Sequence, residues 1–183
     1  MPVLDGFGVL DALRERESTR DIPVTVLTGQ VLTETELIRL NRGVTTVLEK
    51  GIFSTEETME RISMTLFRKD KSRIAARQVV TKAMAYIHEH YTESITREQI
   101  ASHVHVHENH LTNCFHQILG ISLMTYLNRY RINHARVLLE AGESNITEVA
   151  LAVGFSDASY FGRMFQREVG ISPSSYRRGQ HPR

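Results

Sequence analysis

The stretch Gly154-Phe155-Ser156-Asp157-Ala158-Ser159-Tyr160-Phe161-Gly162-Arg163-Met164-Phe165 decides the fold. A glycine suited to a tight turn is followed by Ser156 and Asp157, either of which can cap a helix by accepting from its first N–H groups. The helix that begins there carries Phe161 and Phe165 on one face and stops at Gly170, a residue suited to a helix C-terminus. Upstream, Asn145 and Glu148 form a capping box that opens a shorter helix through Val153. A short helix, a glycine turn and a second helix make a helix-turn-helix.

The same unit occurs earlier. Phe161, Phe165, Gly170, Ile171, Ser172 and Tyr176 are preceded, at a constant offset of 50, by Leu111, Phe115, Gly120, Ile121, Ser122 and Tyr126. Val149-Ala150 matches Ile100-Ala101 at an offset of 49, a difference of one residue in the intervening turn. Thr96 with Gln99 caps the first short helix through about Val104, and the second helix runs from about Glu108 to Leu119 and stops at Gly120. The segment therefore holds two copies of one supersecondary unit. Between them, Leu123 to Ala141 has no Gly or Pro and reads as one helix with Leu127, Ala135, Leu138 and Leu139 as its buried stripe. Its length, about 28 Å at ~1.5 Å per residue, suits it to hold two reading helices roughly one DNA turn apart.

The first third of the chain has a different grammar. Ile22 to Thr28 is short and β-branched and ends at Gly29, so it reads as a buried strand, and Gly43 to Lys50 reads as a second. Thr33 with Glu36, and Ser54 with Glu57, form capping boxes for helices; the second carries Met59, Ile62 and Leu66 on its apolar face. Strand-helix-strand-helix order predicts a parallel α/β layer. A charged run from Phe67 to Arg77 reads as a linker. The expected fold class is mainly α: two helix-turn-helix units (97–118 and 146–169) joined by a long helix within a domain at 78–178, after a partial α/β segment at 1–66, with a tail at 179–183.

Composition narrows the function less than pattern does. With 183 residues and 41% hydrophobic content, a packed core is expected. No apolar run approaches the ~20 residues of a membrane helix, and Met1-Pro2-Val3-Leu4-Asp5 lacks signal-peptide features. One cysteine, Cys114, excludes an intrachain disulfide. These features lead us to expect a cytoplasmic protein. Residues 1–76 carry 11 Lys/Arg against 12 Asp/Glu and residues 77–183 carry 11 against 9, with all nine histidines in the second part. So modest a charge does not name a nucleic-acid partner.

The pattern does. Gly154-Phe155-Ser156-Asp157, Ser159-Tyr160-Phe161, Arg163, Phe165, Gly170, Ser172-Pro173 and Tyr176-Arg177, with Leu127, Arg131, Ala135 and Leu139 on the connecting helix, resemble the AraC/XylS family of transcription regulators over about Val79 to Arg178. The resemblance implies DNA binding by two helices in successive major grooves. Residues 1–66 resemble the C-terminal half of a response-regulator receiver domain, a flavodoxin-like fold: Met1-Pro2-Val3-Leu4-Asp5-Gly6 is similar to the segment after that family's phosphoaccepting aspartate, and Thr28 and Lys50 match its switch threonine and lysine. The aspartate itself and the acidic pair on the first strand are absent from this sequence, and Lys50 is followed by Gly51 where the family often has proline.

Candidate base-reading residues follow from the helix faces. Leu111, Cys114, Phe115 and Ile118 share one face, assigned to the core. Asn109, Thr112, Asn113 and His116 point the other way, where Asn can pair bidentately with adenine and Thr can meet a thymine methyl. Ser159, Gly162 and Arg163 are the second helix's equivalents, and the Arg163 guanidinium matches guanine O6 and N7. A plain solvated face is the competing reading. His103, His105, His107 and His110, with Cys114 nearby, resemble a metal cluster only loosely, because the first three span a turn; polar turn residues or phosphate contacts are the better reading. His107 stands where the resemblance implies a serine cap. Thr28 and Lys50 form a phosphorylation-switch remnant without a carboxylate to phosphorylate. No nucleophile-base pair has an orienting third group, so neither enzyme activity nor a cofactor is expected.

The expected partners are double-stranded DNA, a second copy bound through the receiver remnant, and RNA polymerase as a further candidate. The expected role is the output part of a two-component or hybrid sensor system. Competing classes are a phosphotransfer protein and an interaction adaptor that no longer binds DNA.

Overall fold

The computed structural model describes residues 5–29, 33–41, 44, 46–67, 73–142 and 145–179. Met1 to Leu4, which carry part of the receiver resemblance, lie outside them. The element order is α1 (Gly6–Glu15), β1 (Thr25–Thr28), α2 (Glu34–Asn41), β2 (Thr46–Glu49), α3 (Thr55–Phe67), α4 (Arg73–His90), α5 (Arg97–His103), α6 (Glu108–Leu119), α7 (Leu123–Ala141), α8 (Ile146–Ala152), α9 (Ala158–Val169) and α10 (Pro173–Arg177).

The first part is a two-stranded parallel sheet, β1 beside β2, with Thr25 opposite Thr46 and Thr28 opposite Glu49. Both strands are shorter than expected. Pro23 brings no N–H to a ladder and the Ile22 N–H is bound to the Thr19 carbonyl in the preceding turn, so β1 starts at Thr25. Val44 N–H still belongs to α2 through the Leu40 carbonyl. The capping boxes are in place: Thr33 N–H donates to Glu36 at 2.8 Å and Ser54 N–H to Glu57 at 2.9 Å. On α3, however, Met59 is 58% exposed. Ile62 is half-buried, and the Leu66 side chain lies outside the described residues; Glu57 and Arg61 of the same helix reach Arg129 and Gly120.

The charged run read as a linker ends inside α4, whose first residues are Arg73 to Arg77; residues 68–72 lie outside the described ones. Ala76, Val80, Ala83, Met84 and Ile87 recur at helical spacing and are buried against Leu111 and Phe115. Ala85, a quarter-turn away, packs with Leu10, Leu37, Leu40 and Val44 of the α/β part. One helix thus serves two cores, and Leu48, Ile52 and Phe53 enter the core of the first helix pair beside it. The boundary placed at 77/78 falls within this helix.

The remaining chain has the short-helix, turn, long-helix order twice, α5–α6 and α8–α9, with α7 between. Thr96 with Gln99 and Asn145 with Glu148 form reciprocal capping boxes. The second core gathers Ile132, Ala135, Leu139, Val149, Phe155, Phe161, Phe165 and Tyr176. Leu127, Ala135 and Leu139 of α7 are fully buried, but Leu138 is 40% exposed. The buried row follows i, i+4 spacing through Leu127, Arg131, Ala135 and Leu139, and Leu138 falls beside it, next to exposed Val137.

Candidate nucleic-acid interface

Helices α6 and α9 have equal length and sit at the same offset of 50 throughout. His107 is the N-cap of α6, its Nδ1 accepting from the Asn109 N–H at 3.2 Å. A histidine thus does the work of the expected serine. Asp157, not Ser156, caps α9, accepting from Ser159 N–H at 2.6 Å and Tyr160 N–H at 2.9 Å. These backbone bonds, Tyr160's first, hold its carboxyl below the usual carboxylate range, with the Arg163 charge adding to them.

Each helix buries one face and leaves another in solvent. On α6, Leu111, Cys114, Phe115 and Leu119 are buried, whereas Asn109, Asn113 and His116 are exposed. Thr112 is half-buried and its hydroxyl donates to the Glu108 carbonyl at 2.9 Å. On α9, Phe161, Met164 and Phe165 are buried, while Ser159 and Arg163 are exposed. The Arg163 guanidinium lies 5.9 Å from the Tyr160 ring centre, and a side chain at Gly162 would meet nothing within 4 Å. Asn109, Asn113 and His116 therefore share a face, as do Ser159, Gly162 and Arg163.

Two exposed residues of α9 are absent from the sequence-based set. Gln166 is exposed and is the offset-50 counterpart of His116, so the repeat itself marks it. Tyr160 is 40% exposed, and its hydroxyl accepts from Asn128 of α7 at 3.2 Å. This bond ties the start of α9 to the connecting helix.

The histidines read as a loose cluster are spread over different tasks. His103 stacks on Tyr86 at 4.4 Å, His105 has φ 57° in the turn, His107 is the cap, and His110 Nε2 lies 3.5 Å from the Cys114 sulfur. No group of three metal-ligating side chains occurs among the described residues. Thr28 ends β1 and Lys50 directly follows β2, the Lys50 N–H donating to the Thr28 carbonyl at 2.7 Å, and the Lys50 chain lies over Gly29. Among the described residues no helix is long and apolar enough to cross a membrane.

Where the α/β part meets the helical part, polar groups are buried. Glu49 at the end of β2 lies 3.0 Å from His88 Nε2 of α4, and that nitrogen lies 2.8 Å from the Tyr126 hydroxyl of α7. His88 stacks on Tyr130 at 4.4 Å. Burial pushes the Glu49 carboxyl up to about 8, which favours its protonated form at neutral pH.

Residues 100–179 match the family described as helix-turn-helix domain. A curated relative, the uncharacterized HTH-type transcriptional regulator YijO of Escherichia coli K12, is 40% identical over 96 residues, covering 52% of this chain and 34% of the relative. The chain thus spans about a third of the length of such relatives. Among solved structures, the C-terminal domain of AraT, a response regulator from Geobacillus stearothermophilus, aligns with TM-score 0.54 and 33% identity over 57% of this chain and 88% of that one. The DNA-binding domain of AdpA, a global transcriptional factor solved with target DNA, aligns with TM-score 0.51 and 27% identity over 57% and 90%. The fold, the repeated capped helices and these similarities agree: residues 100–179 form a helix-turn-helix domain, similar to the AraC-type DNA-binding domains of solved transcriptional regulators.

Proposed function

We propose that this chain reads DNA sequence with two helices, α6 and α9, set into successive major grooves, and that it is the output part of a two-component or hybrid sensor system. The observation that carries the reading is the duplicated solvent face: Asn109, Thr112, Asn113 and His116 on α6, and Ser159, Gly162, Arg163 and Gln166 on α9, at one offset on helices of equal length. Asn113 and Arg163 occupy matching positions and carry the side chains suited to adenine and guanine edges. The protein solved with DNA has the same fold. Selection of duplexes from a randomised pool by the full chain, followed by footprinting, tests this. Two protected patches about 10 base pairs apart are expected, and a chain that enriches no sequence contradicts it.

The α/β segment is, in this reading, the C-terminal part of a receiver. Its parallel strands, the helix between them, and Thr28 and Lys50 side by side at the strand ends support this. Among the described residues β1 pairs only with β2, and Ile22 and Leu27 are about half exposed. An apolar strand edge is a template for a second copy, which gives a homodimer with a four-stranded sheet about a two-fold axis. Sedimentation of the full chain across micromolar concentrations checks it, and a monomer throughout contradicts it. As a DNA-bound regulator the protein acts in the cytoplasm, with RNA polymerase as a further partner.

A further inference from the structure

Arg129 sits on α7 between the two helix pairs and is held from both sides. Its Nη1 donates to the Ile52 carbonyl at 3.1 Å and to the two Glu57 carboxylate oxygens at 3.1 and 3.0 Å; its Nε donates to Glu168 at 2.7 Å. Ile52 and Glu57 belong to the segment that follows β2. Glu168 is the penultimate residue of α9, and its other oxygen accepts from exposed Arg167 at 2.9 Å. The Arg129 side chain is 18% exposed and its Nε and Nη1 are engaged within the protein, so it is not a base-reading group itself.

The neighbours of Arg129 extend the same contact. Asn133, one turn along α7, donates to the Lys50 carbonyl at 3.4 Å, and Gly51 packs against its amide. Glu49 reaches His88 and Tyr126 in the core of the first pair. Arg61, one turn after Glu57 on α3, lies against Gly120, the left-handed C-cap of α6. A single run from Glu49 to Arg61 therefore touches the connecting helix and the C-terminal end of α6, and reaches the C-terminal end of α9 through Arg129.

The lever arm is short and the tolerance small. Helix α9 is about 18 Å long at ~1.5 Å per residue, and its base-facing residues Ser159 and Arg163 lie toward the other end from Glu168. A swing of about 10° about the Glu168 end moves the far end by about 3 Å, close to the ~3.4 Å rise of one base pair. A small change in how α9 is set against its neighbours therefore matches the size of a one-pair change in half-site spacing.

We propose that Arg129 is a positioning residue for DNA reading: by tying Glu168 of α9 to Ile52 and Glu57 of the α/β segment, it fixes the second reading helix relative to the first and sets the half-site spacing the domain accepts. The proposal rests on the two-half-site reading above. The test uses the full chain and a duplex selected from a randomised pool by the wild type, rebuilt with one or two base pairs inserted or removed between half-sites. The wild type loses affinity about tenfold or more per displaced pair, the scale of a mismatched contact, while Arg129→Gln and Glu168→Gln flatten the profile and keep the base preferences inside each half-site. Where Arg129→Gln fails to fold, Glu57→Gln reads the same bond and must flatten the profile too. A wild-type spacing profile in the folded variants, or an equal loss at every spacing, overturns the proposal. A wild type indifferent to spacing overturns the two-half-site reading instead, and is recognised without any variant.

Discussion

The guanidinium of Arg131 lies against Gly154, joining the middle of the connecting helix to the turn of the second helix pair. A Cβ on Gly154 would fall 3.0 Å from Arg131 Nη2 and would collide with the Tyr91 carbonyl oxygen. Arg131, 7% exposed, donates to that carbonyl at 2.7 Å and to the Glu93 carbonyl at 2.6 Å, and stands over the Phe155 ring at 5.6 Å. A buried cation with no carboxylate partner among the described residues is tolerable here because oriented carbonyl dipoles meet it. One side chain thereby pins the end of α4, the axis of α7 and the second turn together.

This junction predicts large effects from small changes. Gly154 has φ 89°, where an L side chain costs about 1–2 kcal/mol, and the collision adds to it. Gly154→Ala is expected to lower stability by about 2 kcal/mol or more. Arg131→Met leaves the Tyr91 carbonyl without its donor and the Glu93 carbonyl with only the Ile95 N–H, and is expected to cost about 1–3 kcal/mol. Urea unfolding checks both; variants within about 0.5 kcal/mol of wild type, the range of ordinary surface changes, would remove the junction from the account.

The Glu49 carboxyl predicts a pH dependence of definite sign. Burial raises it from 4.5 to about 8, the hydrogen bond from Tyr126 pulling the other way. Between those values the folded chain holds a proton that the unfolded chain does not. Its contribution to stability is therefore full below about pH 4.5, declines as pH rises to about 8, and is level above that. Glu49→Gln removes this slope. The melting temperature of the variant relative to wild type should climb steadily across that window, and parallel curves for the two proteins would show that Glu49 does not titrate in the core.

His107 caps α6 through a ring nitrogen at 3.2 Å. Short oxygen acceptors are the preferred N-caps, and an acid also meets the positive end of the helix. His107→Asp is expected to stabilise the domain by about 0.5–1 kcal/mol. A loss measured by urea unfolding would mean that the imidazole has a second role in the turn.

Much of this molecule was legible because caps and stops are local. Thr96 with Gln99, Asn145 with Glu148, and Gly120 and Gly170 announce helix ends within three or four residues, and the offset of 50 made each copy a check on the other. Helix α4 was hidden because its buried face relies on Ala76, Ala83 and Ala85, whose hydropathy is weak, behind a charged start. Leu138 was misplaced because hydropathy alone does not say on which side the i, i+4 row leans. The junction was out of reach for another reason: Arg129 meets Glu168 at 39, Glu57 at 72 and Ile52 at 77 residues' separation. Glu49 ends a strand like any exposed acid, and only packing against His88 and Tyr126 reveals its burial.

The central claim is that matching positions of α6 and α9 read different half-sites. Asn113→Ala and Arg163→Ala, each measured by gel shift on the selected duplex and on every single-base variant of it, test this most directly. Each substitution is expected to weaken binding by about 1–3 kcal/mol and to relax preference at one base pair, the two pairs lying about 10 apart. Equal losses on specific and random DNA, with every base preference intact, would make both residues phosphate contacts and contradict the account.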